Sequence, residues 1–130
     1  MTKKRVLVID DDMISLSFTR AALSTYYDVL VALQSRDGLM LALNEHPDMI
    51  LVDISMPKMD GFQLIEQYRE EALPEYRATP FIICSSFKSV EFLKRSERLG
   101  VEDFLVKPFA PDELLLSTES IFERRGMLTG

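Results

Sequence analysis

The stretch MetIleLeuValAspIleSerMetProLysMetAspGly, residues 49 to 61, decides the fold. Its first four residues form an unbroken apolar run, as in a strand covered on both faces, and Asp53 closes that run where the chain turns away. A carboxylate is thereby held at a strand's C-terminal end. ValLeuValIle at 6 to 9 ends the same way, in Asp10, Asp11 and Asp12, so two buried strands deliver acids toward one sheet edge. Adjacent carboxylates repel unless something cationic joins them. A hard cation relieves that repulsion, and Mg2+ usually sits on one or two carboxylates plus a phosphate. Phosphate chemistry therefore leads the expectations.

Working outward, short apolar runs alternate with longer segments of helical period, which predicts repeated strand and helix units and a parallel sheet. Strands are expected at 5 to 9, 28 to 32, 49 to 52, 81 to 84 and 103 to 106, and helices at 13 to 26, 36 to 45, 61 to 71, 89 to 99 and 111 to 124. The fold class is α/β, a doubly wound five-stranded parallel sheet with helices on both faces. Leu16, Ala21, Leu23 and Tyr27 mark the inner side of the first helix. Ser35 and Asp60 are placed to cap the second and third, Pro111 suits the first turn of the last, and Gly100 ends the fourth. Gly38 is a misfit inside a helix, and 72 to 80 is the longest connection. In such a sheet ligands bind beyond the carboxyl ends of the strands, where strand order reverses. Asp10 and Asp11, Asp53, Ser85 and Ser86, and Lys107 stand at four such ends.

With 130 residues, 47% hydrophobic and 28% charged, the chain suits one globular domain, 1–130. A net charge of -6 argues against direct nucleic-acid binding, which needs clustered Lys and Arg. Cys84 is the only cysteine, so no internal disulfide forms and a reducing compartment fits. No stretch reads as a signal peptide or is long enough to span a membrane, and the cytoplasm is the expected location.

ValIleAspAspAsp, LeuValAspIleSerMetProLysMetAspGly, IleIleCysSerSer and PheLeuValLysProPhe occur in this order across nearly the whole chain. Single fragments of this kind are common; the ordered set closely resembles the receiver domain of bacterial two-component response regulators, including the stand-alone chemotaxis type. That resemblance implies a flavodoxin-like strand order 2-1-3-4-5. It also implies that Asp53 accepts a phosphoryl group from the phosphohistidine of a sensor histidine kinase or histidine phosphotransfer protein. Asp10, Asp11, Asp53 and the backbone carbonyl of Ser55 would hold Mg2+, with Mn2+ as a substitute. Lys107 and the switch hydroxyl of Ser85 would bind the phosphoryl oxygens, and the Lys107–Pro108 peptide is expected to be cis. The chain would catalyse its own phosphotransfer and dephosphorylation without being an enzyme in the usual sense. Its output surface would comprise the fourth helix, fifth strand and fifth helix, acting on an effector or output domain, with a homodimer through the same surface. With no output domain after Gly130, the effect would be delivered in trans if the chain is complete.

Some residues depart from the common pattern or have ordinary roles. Phe104 stands where many relatives carry a switch Tyr, so switching would be read through packing rather than through a hydroxyl. Ser86 is larger and more polar than the usual small residue, and with Met13 and Ser55 it would tune dephosphorylation. Asp12 reads as a helix cap, His46 as an exposed loop residue, and Phe18, Phe62, Phe92 and the methionines as packing. Lys88, Lys94, Arg95 and Arg98 form a charged face of the fourth helix. The alternative is a small haloacid-dehalogenase-type phosphatase, with Asp10 as nucleophile, Asp12 as acid and base, Ser85 or Ser86 on the phosphate and Lys107 as clamp. It leaves the AspIleSerMetPro segment unexplained. A third reading is a receiver that works as an unphosphorylated docking module.

Overall fold

A computed structural model describes residues 3–126, so the ends of the expected domain, 1–2 and 127–130, lie outside the described residues. Strands β1 Arg5–Ile9, β2 Asp28–Ala32, β3 Met49–Val52, β4 Phe81–Ser85 and β5 Asp103–Val106 form one parallel sheet in the order β2-β1-β3-β4-β5. Helices α1 Met13–Leu23, α2 Ser35–Glu45, α3 Gly61–Glu71, α4 Val90–Arg98 and α5 Pro111–Arg124 follow the strands in turn. The period-2 alternation of strand side chains divides the interior into two cores. Leu7, Ile9, Ile50 and Val52 pack with Leu39, Phe62 and Tyr68 on one face, while Val6, Val8 and Leu51 pack with Leu16, Leu114 and Phe122 on the other.

Several local expectations need correction. Helix α1 stops at Leu23, short of residue 26: the Ser24 hydroxyl donates to the Arg20 carbonyl at 2.5 Å, and the chain turns there. That turn carries Tyr27 into the second core, where its hydroxyl meets Thr118 Oγ1 at 3.0 Å. The buried stripe of α1 is Leu16, Thr19 and Leu23, whereas Ala21 is exposed because five residues past Leu16 points away from that stripe. Ser35 is the first residue of α2 rather than its cap; Gln34 holds the capping position with no side-chain bond. Asp60 does cap α3, in a reciprocal box with Gln63, and Asp12 caps α1 by accepting from the Ile14 N–H.

Gly38 is explained by packing, since a Cβ there would stand 2.7 Å from the Ile9 side chain and push α2 off β1. The connection 72 to 80 contains an unforeseen 3-10 turn, Pro74–Tyr76. His46 is half-buried rather than exposed, closing α2 at φ 50° with its ring stacked 3.9 Å from that of Tyr76. Lys88 precedes α4, which Ser89 caps; Arg95 is not simply solvated but pairs with Glu66 at 3.1 Å and lies over the Phe62 ring. Phe62 is buried and Phe92 half-buried, and Phe18, though partly exposed, packs its ring against Phe109; Met13 and Met40 are exposed.

Candidate functional site

Each acid at the carboxyl edge of the sheet is set by a strand end. Asp53 continues the β1 ladder by one bond, its N–H donating to the Ile9 carbonyl at 3.0 Å, and Asp10 does likewise to Ala32 at 3.1 Å. The Ser55 N–H donates to Asp53 Oδ1 and the Asp12 N–H to Asp10 Oδ1, both at 3.0 Å, so each loop holds its own carboxylate. Asp10 and Asp53 are 3% and 8% exposed, while Asp11 lies open to solvent. One oxygen from each of the three lies within 4.8 Å of the others. Such a cluster of hard oxygen donors fits Mg2+, whose charge would offset their mutual repulsion.

Lys107 reaches across from the end of β5, donating to Asp10 Oδ2 at 2.7 Å and Asp53 Oδ2 at 2.8 Å. Its backbone N–H bonds the Ser85 carbonyl at 2.9 Å, and the Lys107–Pro108 peptide is cis, as expected. Burial pushes the Asp53 carboxyl above its ordinary value, against the lowering hydrogen bonds from Lys107 and Ser55. Burial alone would lower the Lys107 ammonium, but its bonds to Asp10 and Asp53 outweigh this and raise it.

A carboxyl raised by folding is most favourable to the fold below its ordinary value of 3.8, and that stability is lost as pH rises through the higher folded value. Asp53→Asn removes this loss. Thermal unfolding across that pH window should show the variant gaining on the natural chain as pH rises, and a constant difference would contradict the burial penalty.

Ser85 is fully buried at the end of β4, and its Oγ accepts from the Phe87 N–H at 3.1 Å. Ser86 is exposed and lines a cleft of about 570 Å³ above Asp53 and Lys107. Phe104 is half-buried against the first core, two strands from Asp53. Met13 and Ser55 are exposed beside the acids.

Two contributions escape sequence reasoning. Gly61 is one: a Cβ there would stand 2.5 Å from the Asp53 carbonyl oxygen, so only glycine lets α3 start this close. The AspGly pair at 60 and 61 was the available signal. The other is the apolar side of the 570 Å³ cleft, formed by Ile14, Phe18 and Phe109, with the last two rings edge to face. Their convergence across two helix starts has no local signature. Cys84 takes no part: it is buried, and burial pushes its thiol strongly upward.

Fold and site together define a flavodoxin-like signalling domain with an acid cluster and a lysine at its topological switch point. The chain belongs to the response regulator receiver domain family, whose model matches residues 6–119, and it is a receiver domain of two-component response regulators. It is 32% identical over 125 residues to a probable transcriptional regulator, ycf27, of Porphyridium aerugineum, covering 95% of this chain and 50% of that one. The alkaline phosphatase synthesis transcriptional regulatory protein PhoP of Bacillus subtilis is 32% identical over 123 residues, covering 93% and 49%. The chain thus spans about half the length of these curated relatives. Among solved structures, a CheY-like receiver domain protein of Methanospirillum hungatei superposes with a TM-score of 0.88 at 27% identity, covering 96% of this chain and 98% of that one. Vibrio cholerae CheY4 superposes with a TM-score of 0.84 at 29% identity, covering 92% and 99%.

The family implies histidine kinase partners and output effectors, and receiver domains generally bind Mg2+. The dehalogenase-type alternative finds no support, and the Asp12 side chain it needed as acid and base is engaged in capping α1. Among the described residues no helix is long and apolar enough to cross a membrane.

Proposed function

We propose that residues 1–130 form one receiver domain in which Asp53 is the phosphoacceptor. The observation that carries this is a nearly buried carboxylate at a strand end with a lysine ammonium 2.8 Å from one of its oxygens. An Asp53 oxygen attacks phosphorus as the P–N bond of a donor phosphohistidine breaks and the imidazole leaves with the electron pair. Lys107 moves from pairing two carboxylates to pairing one carboxylate and the new phosphoryl oxygens. The Ser85 hydroxyl, which now only accepts, has its hydrogen free to donate to one of those oxygens. Asp10, Asp11, Asp53 and the Ser55 carbonyl are the residues that would hold Mg2+, or Mn2+ in its place. The ion would supply charge neutralisation between these oxygens and the phosphoryl group.

The open cleft bounded by Ile14, Phe18 and Phe109 leaves Asp53 accessible to a partner's phosphohistidine. Self-catalysed hydrolysis of the aspartyl phosphate is tuned by the exposed Met13, Ser55 and Ser86, which border the path of water. Attraction of Ser85 and Lys107 to the phosphoryl group shifts the population of the α4-β5-α5 surface, with Phe104 responding through packing. That surface then addresses an effector, an output domain or a second copy, without direct nucleic-acid contact by this domain.

Intact mass after incubation with acetyl phosphate and Mg2+ tests the assignment. One phosphoryl adduct is expected, absent without Mg2+ and absent from Asp53→Asn. Adduct retained in the variant would move the nucleophile elsewhere. No adduct, under conditions that label another receiver, would favour the docking module.

A further inference from the structure

The 570 Å³ cleft above Asp53 and Lys107 has two unlike parts. Its floor is that charged pair. Its wall is apolar: Ile14 and Phe18 stand four residues apart on one side of α1, and Pro108 and Phe109 follow the end of β5. Phe18 and Phe109 meet edge to face with ring centroids 6.1 Å apart, so the wall is a packed surface rather than a set of loose side chains. A second cleft, of about 330 Å³ beside Asp11, includes neither Asp53 nor Lys107. Of the two, the first is the one that joins apolar surface to the nucleophile.

In-line transfer places the leaving group opposite the attacking Asp53 oxygen, on the open side of phosphorus. A leaving group therefore departs through the cleft that Asp53 lines, past its apolar wall. The ionisable members of the lining are Asp12, Asp53 and Lys107, with no imidazole or thiol to protonate a leaving amine or alcohol. Asp12 is engaged in capping α1, and Lys107 is bonded to two carboxylates. A protein donor brings its own proton source. A small donor transfers readily here if its leaving group departs as a stable anion, and an acyl phosphate does so, as a carboxylate that needs no general acid.

We propose that this cleft selects, among small phosphodonors, acyl phosphates whose acyl chain is apolar. The inference rests on Asp53 being the phosphoacceptor. An Asp53 oxygen bonds phosphorus as the bond from phosphorus to the acyl oxygen breaks, and the electron pair leaves on the carboxylate. The phosphoryl end lies at Lys107, while the acyl chain lies along Ile14, Phe18 and Phe109. Those three residues determine donor specificity by burying apolar surface that acetyl phosphate lacks. The acyl end is uncharged, so Asp12 does not oppose its binding. Cleavage then creates a carboxylate near Asp12, and like charge favours its release.

The test compares the rates at which acetyl, butyryl and hexanoyl phosphate label the full chain, at equal donor concentration and saturating Mg2+, followed by intact mass. The three leaving carboxylates have nearly the same basicity, so reactivity at phosphorus is matched and chain length is the variable. Hexanoyl phosphate should label about tenfold faster than acetyl phosphate, because four further methylenes against an open wall gain roughly half of what full burial gives. Butyryl phosphate should fall between them. Phe18→Ser and Ile14→Ser should each lower the hexanoyl-to-acetyl ratio to about threefold. These side chains are 45% and 82% exposed, so both variants should keep the thermal unfolding of the natural chain. Equal rates for the three donors, or a ratio unchanged in both variants, would overturn the proposal. Labelling by hexanoyl phosphate that persists in Asp53→Asn, or that adds acyl rather than phosphoryl mass, would overturn it as well. If acetyl phosphate labels Asp53 without any effect of chain length, the donor preference alone fails; if no donor labels the chain, the phosphoacceptor reading fails with it.

Discussion

Lys107→Met is expected to unfold about 3 kcal/mol more easily than the natural chain in metal-free buffer near neutral pH. Its ammonium bonds both Asp10 and Asp53, whose side chains are 5% and 10% exposed. Methionine keeps most of the stem's volume, so the loss isolates the charge. Removing one member of a largely buried ionic group leaves the others unpaired, which costs more than the intact group contributes. Urea denaturation measures the difference. Millimolar Mg2+ should recover part of it, since a divalent ion among the same oxygens replaces the missing charge.

The pH dependence has a definite sign. Lys107 is raised by folding, so its contribution is fully present below its ordinary value of 10.5 and is lost as pH rises through the higher folded value. The natural chain should therefore lose more stability in alkali than the variant, which keeps only the losses from Tyr27, Tyr68 and Cys84, whose acidic groups burial also raises. Equal stability of the two proteins at neutral pH would mean that the acids tolerate each other without a cation, and the account of the site would fail.

Gly61→Ala is expected to cost about 2–3 kcal/mol and to suppress adduct formation at Asp53. The atom in the way is the Asp53 carbonyl oxygen, 2.5 Å from the added Cβ, with the Ile54 Cα at 3.0 Å. Backbone atoms cannot rotate aside as a side chain can. Relief requires the start of α3 or the end of β3 to move, and either shift displaces the Asp53 carboxylate relative to Lys107. At Gly38 the obstruction is the Ile9 side chain, so repacking rather than movement of the site is at stake. Chemical denaturation and intact mass with acetyl phosphate separate the two effects. A Gly61→Ala chain of natural stability and natural labelling would show that the close approach is not needed.

Much of the fold was legible because its signals are local. Apolar runs of three to five residues marked all five strands, and Asp12, Asp60, Pro111 and Gly100 marked helix ends through single hydrogen bonds, a fixed φ or a left-handed turn. Ser35 misled because a serine can stand inside a helix start as well as before it, and the chain chose Gln34 for the extended residue. Ala21 misled because it is apolar without being on the buried stripe. His46 read as an exposed loop residue and Arg95 as part of a charged helix face, yet each found an aromatic ring from a distant segment.

The sequence by itself determined the element order, the family resemblance and the placement of Asp10, Asp11, Asp53, Ser85 and Lys107 at strand ends, because strand periodicity and turn chemistry act over a few residues. Only the tertiary structure decided that Lys107 divides its bonds between Asp10 and Asp53, that Gly61 must lack a Cβ, and that Ile14, Phe18 and Phe109 meet over the site. These depend on how closely helices settle on a twisted sheet, a distance fixed by packing across residues far apart in the chain.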